Sequence, residues 1–558
     1  MNYLDKPWLK SYKLGPYKLD HSLAPYQEEP LSKALDDAAE KYPGKTAILF
    51  LGRKIKYREL KTYADTLANA LSNMGVQKGD KVCVFLPNCP EAVIADWGIL
   101  KAGAAVIPTS ILRTDDGLVH EAGSGRAKVI ICQENQLKRV LNLKERCGFS
   151  SVIVTSDEGF DKEGIKAKIP ENVYEFKHLL EEYDAVPPKV SIDPKQDLAE
   201  LAFTGGATGV PKGVMITHFN RYSCVLQGLP WIMKPLLKGI KGKSSILLSV
   251  PLFHSYGRYM AQSAANLGLR LILIPDPRDI DLIVETIKEY RPFMITAVPT
   301  QFMRIAQEKV GKINAIPMSG AAPLPRDVAD AIKAELGNPV TEGYGLTETA
   351  PLTHFNISGF SKITGFMANE KPGLGVPSPD TECKIVDQIT GEEVPFGETG
   401  EILVRGPQVM KGYWPEEGSG LTPDGWLKTG DIAYMDEAGY FHMTDRTKDM
   451  INVSGNKVYS TQVDEVIYNH PAVLMAASFG VPDPSMPGSE RVAAVIQLHD
   501  NYPEKPTIEE IRNYCRKHLA PYAVPKYVEF RDKLPMTVTE KLFKKELREE
   551  MIEKMKTN

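Results

Sequence analysis

Short apolar runs alternate with helix-length segments through the first half of the chain. Lys81–Leu86 (KVCVFL) has the continuous apolar pattern of a buried strand. Asn88 and Pro90 then supply start signals for a helix that ends near Gly103, and AAVIP follows as the next strand. Further strand patterns are AKVIIC (127–132), SVIVT (151–155), LILI (271–274) and FMITAV (293–298). The alternation predicts β-α-β units in sheets whose two faces are both covered.

The pattern changes twice further along the chain. From about Gly375, the shorter strand patterns ECKIV, GEILVRG and YFHMT are separated by turn signals such as Asp424-Gly425, which predicts a β-rich region. After Asp445, VLMAASFG and RVAAVIQL are typical of strands, Thr507 with Glu510 forms a capping box before a helix, and a charged helix runs from about residue 542. We predict an α/β N-terminal domain over residues 1–445, with two β-α-β subdomains and a β-rich subdomain. A small α+β C-terminal domain is predicted over residues 446–558.

Composition excludes several classes of protein. A chain of 558 residues exceeds what one hydrophobic core supports, which agrees with two or more domains. A net charge of −4 gives no electrostatic footprint for binding a nucleic acid. The cysteines are scattered without a C-x-x-C pair, which favours a reducing compartment over disulfides or a zinc site. They are Cys83, Cys89, Cys132, Cys147, Cys224, Cys383 and Cys515.

Neither the start of the chain nor its most apolar region resembles a membrane-targeting segment. The first residues, MNYLDKPWLKSYKLG, lack the apolar centre of a signal peptide. The segment Ala92–Leu112 contains Asp96, Lys101 and Pro108, so it is a poor candidate for a membrane span. We expect a soluble cytoplasmic protein with no integral membrane segment. The sequence leaves open whether it forms a homodimer.

The stretch Thr204–Gly213 (TGGATGVPKG) has the glycine content of a loop that brings backbone N–H groups close to an anion. It differs from the G-x-x-x-x-G-K-[ST] phosphate loop, because Pro211 precedes Lys212 and Gly213 follows it. The extended runs LAELAF and GVMITH flank it. The loop is therefore predicted to join two strands rather than a strand and a helix.

Four later segments also combine glycines with charged and hydroxyl side chains: TEGYGLTETA (341–350), GWLKTGD (425–431), DRTKDMINVSGNKV (445–458) and PMTVTEKLFKKELRE (535–549). Taken singly, each has a plain structural explanation. Glycine-rich loops are mostly turns, and Lys541 belongs equally well to a basic helix face with Lys544, Lys545 and Arg548.

The order of the five segments carries more information than any one of them. Together they resemble the motifs of the adenylate-forming superfamily, which includes acyl-CoA synthetases, firefly luciferase and peptide-synthetase adenylation domains. Those motifs resemble T-[SG]-G-T-T-G-x-P-K-G, Y-G-x-T-E, W-x-x-T-G-D, D-R-x-K-D-x-I-x-x-x-G and T-x-T-G-K. The resemblance covers essentially the whole chain. The TGG start of the loop, GYGLTETAPL and KPWLKSY are most similar to fatty acyl-CoA synthetases.

The resemblance implies a two-step ligase reaction with ATP and CoA as co-substrates and Mg²⁺ as cofactor. A carboxylate attacks the α-phosphate of ATP to give an acyl-adenylate and pyrophosphate, and the CoA thiol then releases AMP. Such chemistry requires strong compensation of negative charge. The implied substrate is a medium- to long-chain fatty acid.

The resemblance also assigns residues to the nucleotide. The loop residues Thr204, Gly205, Gly206, Thr208, Gly209 and Lys212 are expected at the β- and γ-phosphates. Glu348, with Thr204, is the expected metal site, and Thr347 would contact the α-phosphate. Asp431 and Arg446 would hold the ribose. The expected adenine wall comprises Gly320, Ala321, Ala322, Glu342, Gly343 and Tyr344.

Three further roles follow from the same resemblance. Lys541 would be catalytic, reaching the α-phosphate and carboxylate oxygens in the first step. Lys448 would be the hinge of a mobile C-terminal domain, and Ser454 with Gly455 would line the CoA tunnel in the second step. The acyl pocket is expected around PLFHSYGRYM (251–260), with His254 as an aromatic gate. Its other wall candidates are Tyr256, Tyr259, Val298, Pro299 and Thr300.

The sequence departs from the family pattern at three places. Gly205 and Ala207 remove two hydroxyl groups beside the phosphates. Glu540 replaces the usual glycine before Lys541, which disfavours a left-handed backbone and puts an acid next to the catalytic cation.

Other functions stay open from the sequence. Two tyrosines near the acyl pocket would suit a short or hydroxylated acid such as hydroxybutyrate. A nucleotide-binding relative without catalysis is disfavoured by the joint presence of Lys541, Glu348, Asp431 and Arg446. A luciferase-like oxygenase is rare among such sequences, and a module that loads a carrier protein is disfavoured because no carrier domain follows Asn558.

Overall fold

The computed structural model describes residues 2–160, 165, 169–204, 210–320, 324–357, 360, 373–454, 456–500, 502–537 and 542–557. Contacts between Cα atoms divide the chain into two compact units. One comprises Asn2–Cys383 and Val404–Leu427, and the other comprises Lys384–Leu403 and Lys428–Asn558. The larger unit contains two nine-stranded sheets, and the smaller contains the C-terminal α+β elements.

The first nine-stranded sheet contains the β-α-β unit that the sequence predicts. Strand Lys81–Phe85, helix Pro90–Lys101 and strand Ala105–Pro108 follow one another, and the two strands pair in parallel. Residues 82–85 are all buried because both faces of the sheet are covered. In sheet order the strands are Glu416–Glu417, Gly412–Tyr413, Lys212–Thr217, Leu198–Thr204, Ala105–Pro108, Lys81–Phe85, Ala127–Gln133, Ser151–Thr155 and Val173–Glu175.

The second nine-stranded sheet has a parallel centre with an antiparallel strand pair at one end and short antiparallel strands at the other. The predicted strands LILI and FMITAV correspond to Arg270–Leu273 and Met294–Ala297. In sheet order the strands are Val376–Pro377, His354–Phe355, Thr341–Tyr344, Ile316–Gly320, Met294–Ala297, Ser245–Leu248, Arg270–Leu273, Thr46–Phe50 and Arg53–Lys56.

Helices cover these sheets. Helix Pro90–Lys101 is buried from Pro90 to Leu100, and a Cβ at Gly98 would lie 3.0 Å from Leu67 of helix Tyr57–Asn73, so glycine permits the close approach of the two helices. The other α-helices of this unit are Lys33–Lys41, Asp115–Leu118, Glu134–Cys147, Phe176–Glu182, His218–Gln227, Leu229–Ile232, Leu237–Ile240, Ser255–Asn266, Ile280–Tyr290, Pro299–Ile305 and Arg326–Leu336.

The charged residues of the most apolar segment have buried partners. Asp96 accepts a hydrogen bond of 2.9 Å from Nε of Arg258, and Lys101 lies 2.6 Å from a carboxylate oxygen of Asp65. The segment is therefore a core helix whose charges are compensated within the protein. Across the described part of the chain, no helix combines the length and the apolar character needed to cross a membrane.

A buried ion-pair network joins this helix to strand Leu198–Thr204. Glu200 has no exposed surface and pairs with Arg258 at 2.8 Å and with Arg221. Burial alone would raise the pKa of Glu200, but the two guanidinium groups outweigh it and the pKa is lowered. Arg221 also donates to the carbonyl of Ala350 at 2.8 Å and to the hydroxyl of Ser255 at 3.2 Å.

The smaller unit contains most of a four-stranded sheet and the elements that follow it. The sheet is formed by Glu382–Val386, Gly400–Arg405, Leu427–Met435 and Phe441–Arg446. A two-stranded hairpin comes next, followed by three more strands and three α-helices. These are strands Ile451–Val453, Asn456–Val458, Val473–Pro482, Glu490–Leu498 and Tyr527–Phe530, and helices Ser460–Tyr468, Ile508–His518 and Lys544–Thr557.

The predicted capping box is confirmed. The side chain of Thr507 accepts a hydrogen bond from the backbone of Glu510, and the carboxylate of Glu510 accepts one from the backbone of Thr507, at the start of helix Ile508–His518. The mixed α/β fold class is also confirmed. The four-stranded sheet shares its compact unit with the elements after residue 446, and the domain boundary at that residue stays a prediction.

Replacing Arg258 by Met tests the buried network. The change leaves Asp96 and Glu200 buried with less positive charge around them, so we expect the free energy of unfolding to fall by about 3 kcal/mol. Denaturant unfolding measures the change. Arg278→Met, which removes an exposed ion pair with Asp276, is the control and should change stability by less than about 1 kcal/mol. Equal effects of the two substitutions would contradict the buried role of Arg258.

Candidate active site

The glycine-rich segment joins two antiparallel strands, as the sequence predicts. Strand Leu198–Thr204 pairs with strand Lys212–Thr217, and Thr204 lies opposite Lys212. The two residues expected at the ends of the phosphate loop are therefore cross-strand neighbours. The loop residues Gly205, Gly206, Ala207, Thr208 and Gly209 lie outside the described residues.

Glu348 and Lys212 approach the same tyrosine. The hydroxyl of Tyr413 donates to Oε1 of Glu348 at 2.9 Å, and Nζ of Lys212 lies 5.1 Å from the centre of the Tyr413 ring. Burial, and then the nearby Glu348 carboxylate, raises the pKa of Tyr413, so it stays a hydrogen-bond donor at neutral pH. Tyr413 is absent from the sequence-based prediction, because nothing in the KGYW stretch indicates which carboxylate it meets.

The candidate adenine wall lies at the ends of two parallel strands. Strand Ile316–Gly320 pairs with strand Thr341–Tyr344, and Gly320 lies opposite Gly343. The chain then turns at Gly345, where a Cβ would meet the carbonyl oxygen of Pro351 at 1.8 Å, so only glycine fits. Ala321 and Ala322 lie outside the described residues. Thr347 follows in a short 3₁₀ turn with Glu348.

Glu342, on this wall, has a strongly perturbed carboxyl group. Burial raises its pKa to about 7 from a usual value of 4.5, although a backbone hydrogen bond with Leu324 acts in the opposite direction. A carboxyl group with a raised pKa at the candidate adenine wall is a functional-site candidate on physical grounds.

The acyl-pocket candidates do not all contact the same surface. His254 caps helix Ser255–Asn266, with Nδ1 accepting from the backbone N–H of Tyr256 at 3.2 Å. The Tyr256 hydroxyl donates to the carbonyl of Met318 at 3.0 Å, and its ring lies next to Gly320. Tyr256 therefore lies against the candidate adenine wall, and its hydroxyl hydrogen is used in the bond to Met318.

The other two candidates are packed elsewhere in the core. The hydroxyl of Tyr259 lies against Gly228, where a Cβ would approach it to 1.6 Å. Val298 is buried and precedes helix Pro299–Ile305. Their part in an acyl pocket stays a prediction.

Asn88 has a role that the sequence-based interpretation missed. The helix after it begins at Pro90 with Cys89 as its N-terminal cap, so the amide of Asn88 is not the cap. It donates instead to the carbonyl of Val250 at 3.0 Å and accepts from the N–H of Leu252 at 2.7 Å. Asn88 therefore fixes the segment that leads to His254.

In the smaller unit, the two residues expected at the ribose are neighbours. Asp431 and Arg446 are cross-strand partners, and Nε of Arg446 lies 3.4 Å from the carboxylate of Asp431. Asp431 is 3 % exposed. Its charge is compensated by the guanidinium of Arg446, which is itself partly exposed. This pair can present one carboxylate and one guanidinium to a polyhydroxylated ligand.

The remaining candidates of this unit follow strand Phe441–Arg446 in the chain. Lys448 is exposed, and Ser454 occupies the turn of the hairpin with a φ of 51° while its N–H donates to Ser489 at 2.9 Å. Gly455, Glu540 and Lys541 lie outside the described residues.

The lysines next to Lys541 are not equivalent. Lys544 donates to Ser460 at 2.9 Å and pairs with Asp464 at 2.7 Å, whereas Lys545 is 62 % exposed and lies 3.8 Å from Glu549. Lys544 therefore has a structural ion pair, and Lys545 is the surface lysine of the set.

No cluster of three or more His, Cys, Asp or Glu side chains that could hold a metal occurs in the described residues. Glu348 is a single oriented carboxylate. That arrangement fits Mg²⁺, which usually binds one or two protein carboxylates and takes its other ligands from waters and substrate phosphates.

Two family profiles together match most of the chain. The profile described as AMP-binding enzyme matches residues 35–414, and that described as AMP-binding enzyme C-terminal domain matches residues 462–541. The chain belongs to the AMP-binding enzyme family. The adenylate-forming superfamily that the motif order predicts is thereby confirmed.

Curated relatives match this family member over nearly its full length. A long-chain-fatty-acid–CoA ligase from Bacillus subtilis is 35% identical, with 98% of each chain covered. One from Salmonella typhimurium is 33% identical with the same coverage. A feruloyl-CoA synthase from an Amycolatopsis species is 31% identical over 91% of this chain and 96% of its own.

Solved structures of the family have the same fold. ATP-bound MatB from Rhodopseudomonas palustris is 26% identical, with a TM-score of 0.81 over 93% of this chain and 99% of its own. An anthranilate CoA ligase in complex with anthranoyl-AMP has a TM-score of 0.82 at 23% identity, with 100% of each chain covered.

The raised pKa of Glu342 predicts a pH-dependent contribution to stability. Its folded-state pKa lies above the unfolded value, so the stability it contributes is full below pH about 4.5 and is lost as the pH rises through about 7. Between pH about 5.5 and about 8 the loss should be about 2 kcal/mol. Glu342→Gln cannot titrate and should lack this part of the pH dependence.

The free energies of unfolding of the unmodified chain and of Glu342→Gln are measured by denaturant unfolding at the two pH values. Glu308→Gln, at an exposed position, is the control and should keep the pH dependence of the unmodified chain. If Glu342→Gln keeps this pH dependence as well, a group other than Glu342 causes it.

Proposed function

We propose that the chain is a ligase that joins a medium- to long-chain fatty acid to CoA through an acyl-adenylate. The observation that carries the proposal is the full-length similarity to long-chain-fatty-acid–CoA ligases, at 33–35% identity over 98% of the chain. The enzyme class itself, an AMP-forming acid–thiol ligase that uses ATP and CoA, is confirmed by these relatives. The chain length of the acid is the proposed part.

In the first step a carboxylate oxygen bonds to the α-phosphorus of ATP, and the bond to pyrophosphate breaks. An anion then approaches a polyanion, so the site must offset negative charge. Thr204 and Lys212 are proposed to bind the β- and γ-phosphates together with the glycine-rich residues between them. Their placement opposite each other, where the two strands open into the loop, supports this role.

Mg²⁺ is proposed to bind Glu348, with Thr204 as a second oxygen ligand. The hydrogen bond from Tyr413 fixes one carboxylate oxygen of Glu348 and leaves the group oriented for an ion shared with phosphates. When bound, the ion would neutralise part of the phosphate charge. Thr347, next in the chain, is proposed at the α-phosphate.

Two sets of residues are proposed to contact the nucleoside. Glu342, Gly343 and Tyr344 would face the adenine, with Gly320 of the neighbouring strand. Asp431 and Arg446 would bind the ribose hydroxyls, which is supported by their ion pair on adjacent strands.

The second step needs a different set of groups. The CoA thiolate bonds to the acyl carbon and the bond to AMP breaks. Lys541 is proposed to act in the first step alone, because its charge is useful only while negative charge builds on phosphorus. Ser454 and Gly455 are proposed to line the path of CoA. Lys448 is proposed to be the hinge about which the C-terminal domain moves between the two steps.

The acid is proposed to enter beside the segment that carries His254. The void beside this segment has a volume of about 20 Å³, room for about one water molecule, so the choice of a fatty acid rests on the relatives and not on a preformed pocket. The similarity to a feruloyl-CoA synthase favours a hydroxylated acid as the second candidate. The apolar walls of the void include Val84, Leu86, Val93, Trp97, Val106 and Phe253.

Product analysis across a panel of acids tests the proposed function. With ATP, Mg²⁺, CoA and laurate or palmitate, we expect acid-dependent AMP and pyrophosphate, and slower turnover with butyrate, hydroxybutyrate and ferulate. Chromatography of nucleotides and a coupled pyrophosphate assay give the readout. Acid-dependent ADP would overturn the reaction class. Faster turnover of the hydroxylated acids would select the second candidate, and no turnover with any acid would indicate a relative without catalysis.

Lys541→Ala should separate the two half-reactions. Adenylate formation should slow by about 10²–10³, as when a charge-stabilising group is removed, and thioester formation from supplied acyl-adenylate should change little. Lys545→Ala is the matched control, because Lys545 is exposed, while Lys544 has a structural ion pair and is unsuitable. Equally small effects at Lys541 and Lys545 would mean that the catalytic lysine lies elsewhere.

A further inference from the structure

His120 contacts both ends of the glycine-rich loop. It lies in a single π-helical turn, Val119–Gly123, and its Nε2 is 2.7 Å from the carbonyl oxygen of Pro211. Its ring packs edge-on against Phe203, with centroids 5.8 Å apart. Phe203 precedes Thr204 and Pro211 precedes Lys212, the pair of residues at which the two strands end.

The hydrogen-bond partners define which nitrogen carries the proton. A carbonyl oxygen can only accept, so Nε2 of His120 donates to Pro211. Nδ1 lies 3.4 Å from the hydroxyl of Ser124, which can donate to it. Both ring nitrogens therefore have a hydrogen-bond partner of suitable polarity.

The contact removes the backbone freedom of Pro211. The proline ring fixes φ, and the hydrogen bond from His120 holds the carbonyl and hence ψ. The carbonyl of Pro211 and the N–H of Lys212 belong to one planar peptide unit, so the direction of that N–H is set at the same time. The backbone position from which the Lys212 side chain extends is therefore fixed.

His120 is itself held in place. Its neighbour Glu121 is buried and pairs with Arg113 at 2.5 Å. Trp414 bridges the same turn to the loop, because its Nε1 donates to the carbonyl of Ser124 at 2.9 Å and its backbone N–H donates to the carbonyl of Gly213 at 2.7 Å.

We propose that His120 is a positioning residue for ATP, acting through Pro211 on the loop end that carries Lys212. The proposal rests on the proposed function, in which this loop binds the β- and γ-phosphates. ATP takes part only in the first half-reaction. Loss of the Nε2 donor should therefore weaken ATP use without affecting the acid, CoA or the second half-reaction.

Three substitutions at His120 distinguish positioning from packing. Gln can place its amide N–H near the position of Nε2, Asn reaches only the position of Nδ1, and Ala removes both. We expect His120→Ala and His120→Asn to raise KM for ATP by about fivefold to tenfold, the effect of one lost hydrogen bond. His120→Gln should restore it to within about twofold. KM for the fatty acid and for CoA, and the rate from supplied acyl-adenylate, should stay unchanged in all three.

His178→Ala is the control, since His178 is 64 % exposed on another helix and should behave like the unmodified enzyme. Melting temperatures are measured in parallel, and if His120→Ala does not fold, the comparison of Gln with Asn decides. An unchanged KM for ATP in the Asn variant, or equal values for Gln and Asn, would overturn the proposal. If the unmodified protein forms no AMP from any acid, the proposed function fails instead, and the two failures are distinguishable.

Discussion

The carboxylate of Glu200 is the buried charge on which the arrangement of the candidate site depends. An unpaired carboxylate with no exposed surface is strongly unfavourable, so Arg221 and Arg258 must stay beside it. Arg221 in turn donates to Ala350, in the TETA segment, and to Ser255, which follows the candidate gate. One desolvated charge thereby links the strand that leads to the glycine-rich loop to the segments that contain Ala350 and Ser255.

The glycine-rich segment that is proposed to bind phosphate has both of its ends on described strands. Its glycines allow main-chain N–H groups to approach an anion, while the antiparallel pairing of Thr204 with Lys212 limits where the loop can begin and end. Two contacts lie at this end of the sheet: the ring of Tyr413, whose hydroxyl bonds to Glu348, lies near Lys212, and His120 bonds to the Pro211 carbonyl. These contacts hold Thr204, Pro211 and Lys212, the residues on either side of the proposed phosphate loop.

Local patterns were enough to predict most of the secondary structure. The strands at residues 81–85, 151–155 and 473–482 follow from short apolar runs, and the helix after Thr507 follows from its capping box. Asn88 shows the limit of local patterns, although the helix begins at Pro90 as predicted. Its position before Pro90 is typical of a helix start, but its amide bonds to Val250 and Leu252, which are far away in the chain.

The sequence alone determined the fold class, the family and the order of the motifs, because these depend on residue patterns that are local or follow one another along the chain. It could not determine which side chains support the motifs. Tyr413 meets Glu348 across 65 positions and His120 meets Pro211 across 91, and such contacts are set by strand order and register in the folded sheets. A hydrogen bond needs its donor and acceptor within about 3 Å, and only tertiary packing brings residues this distant in sequence to that separation.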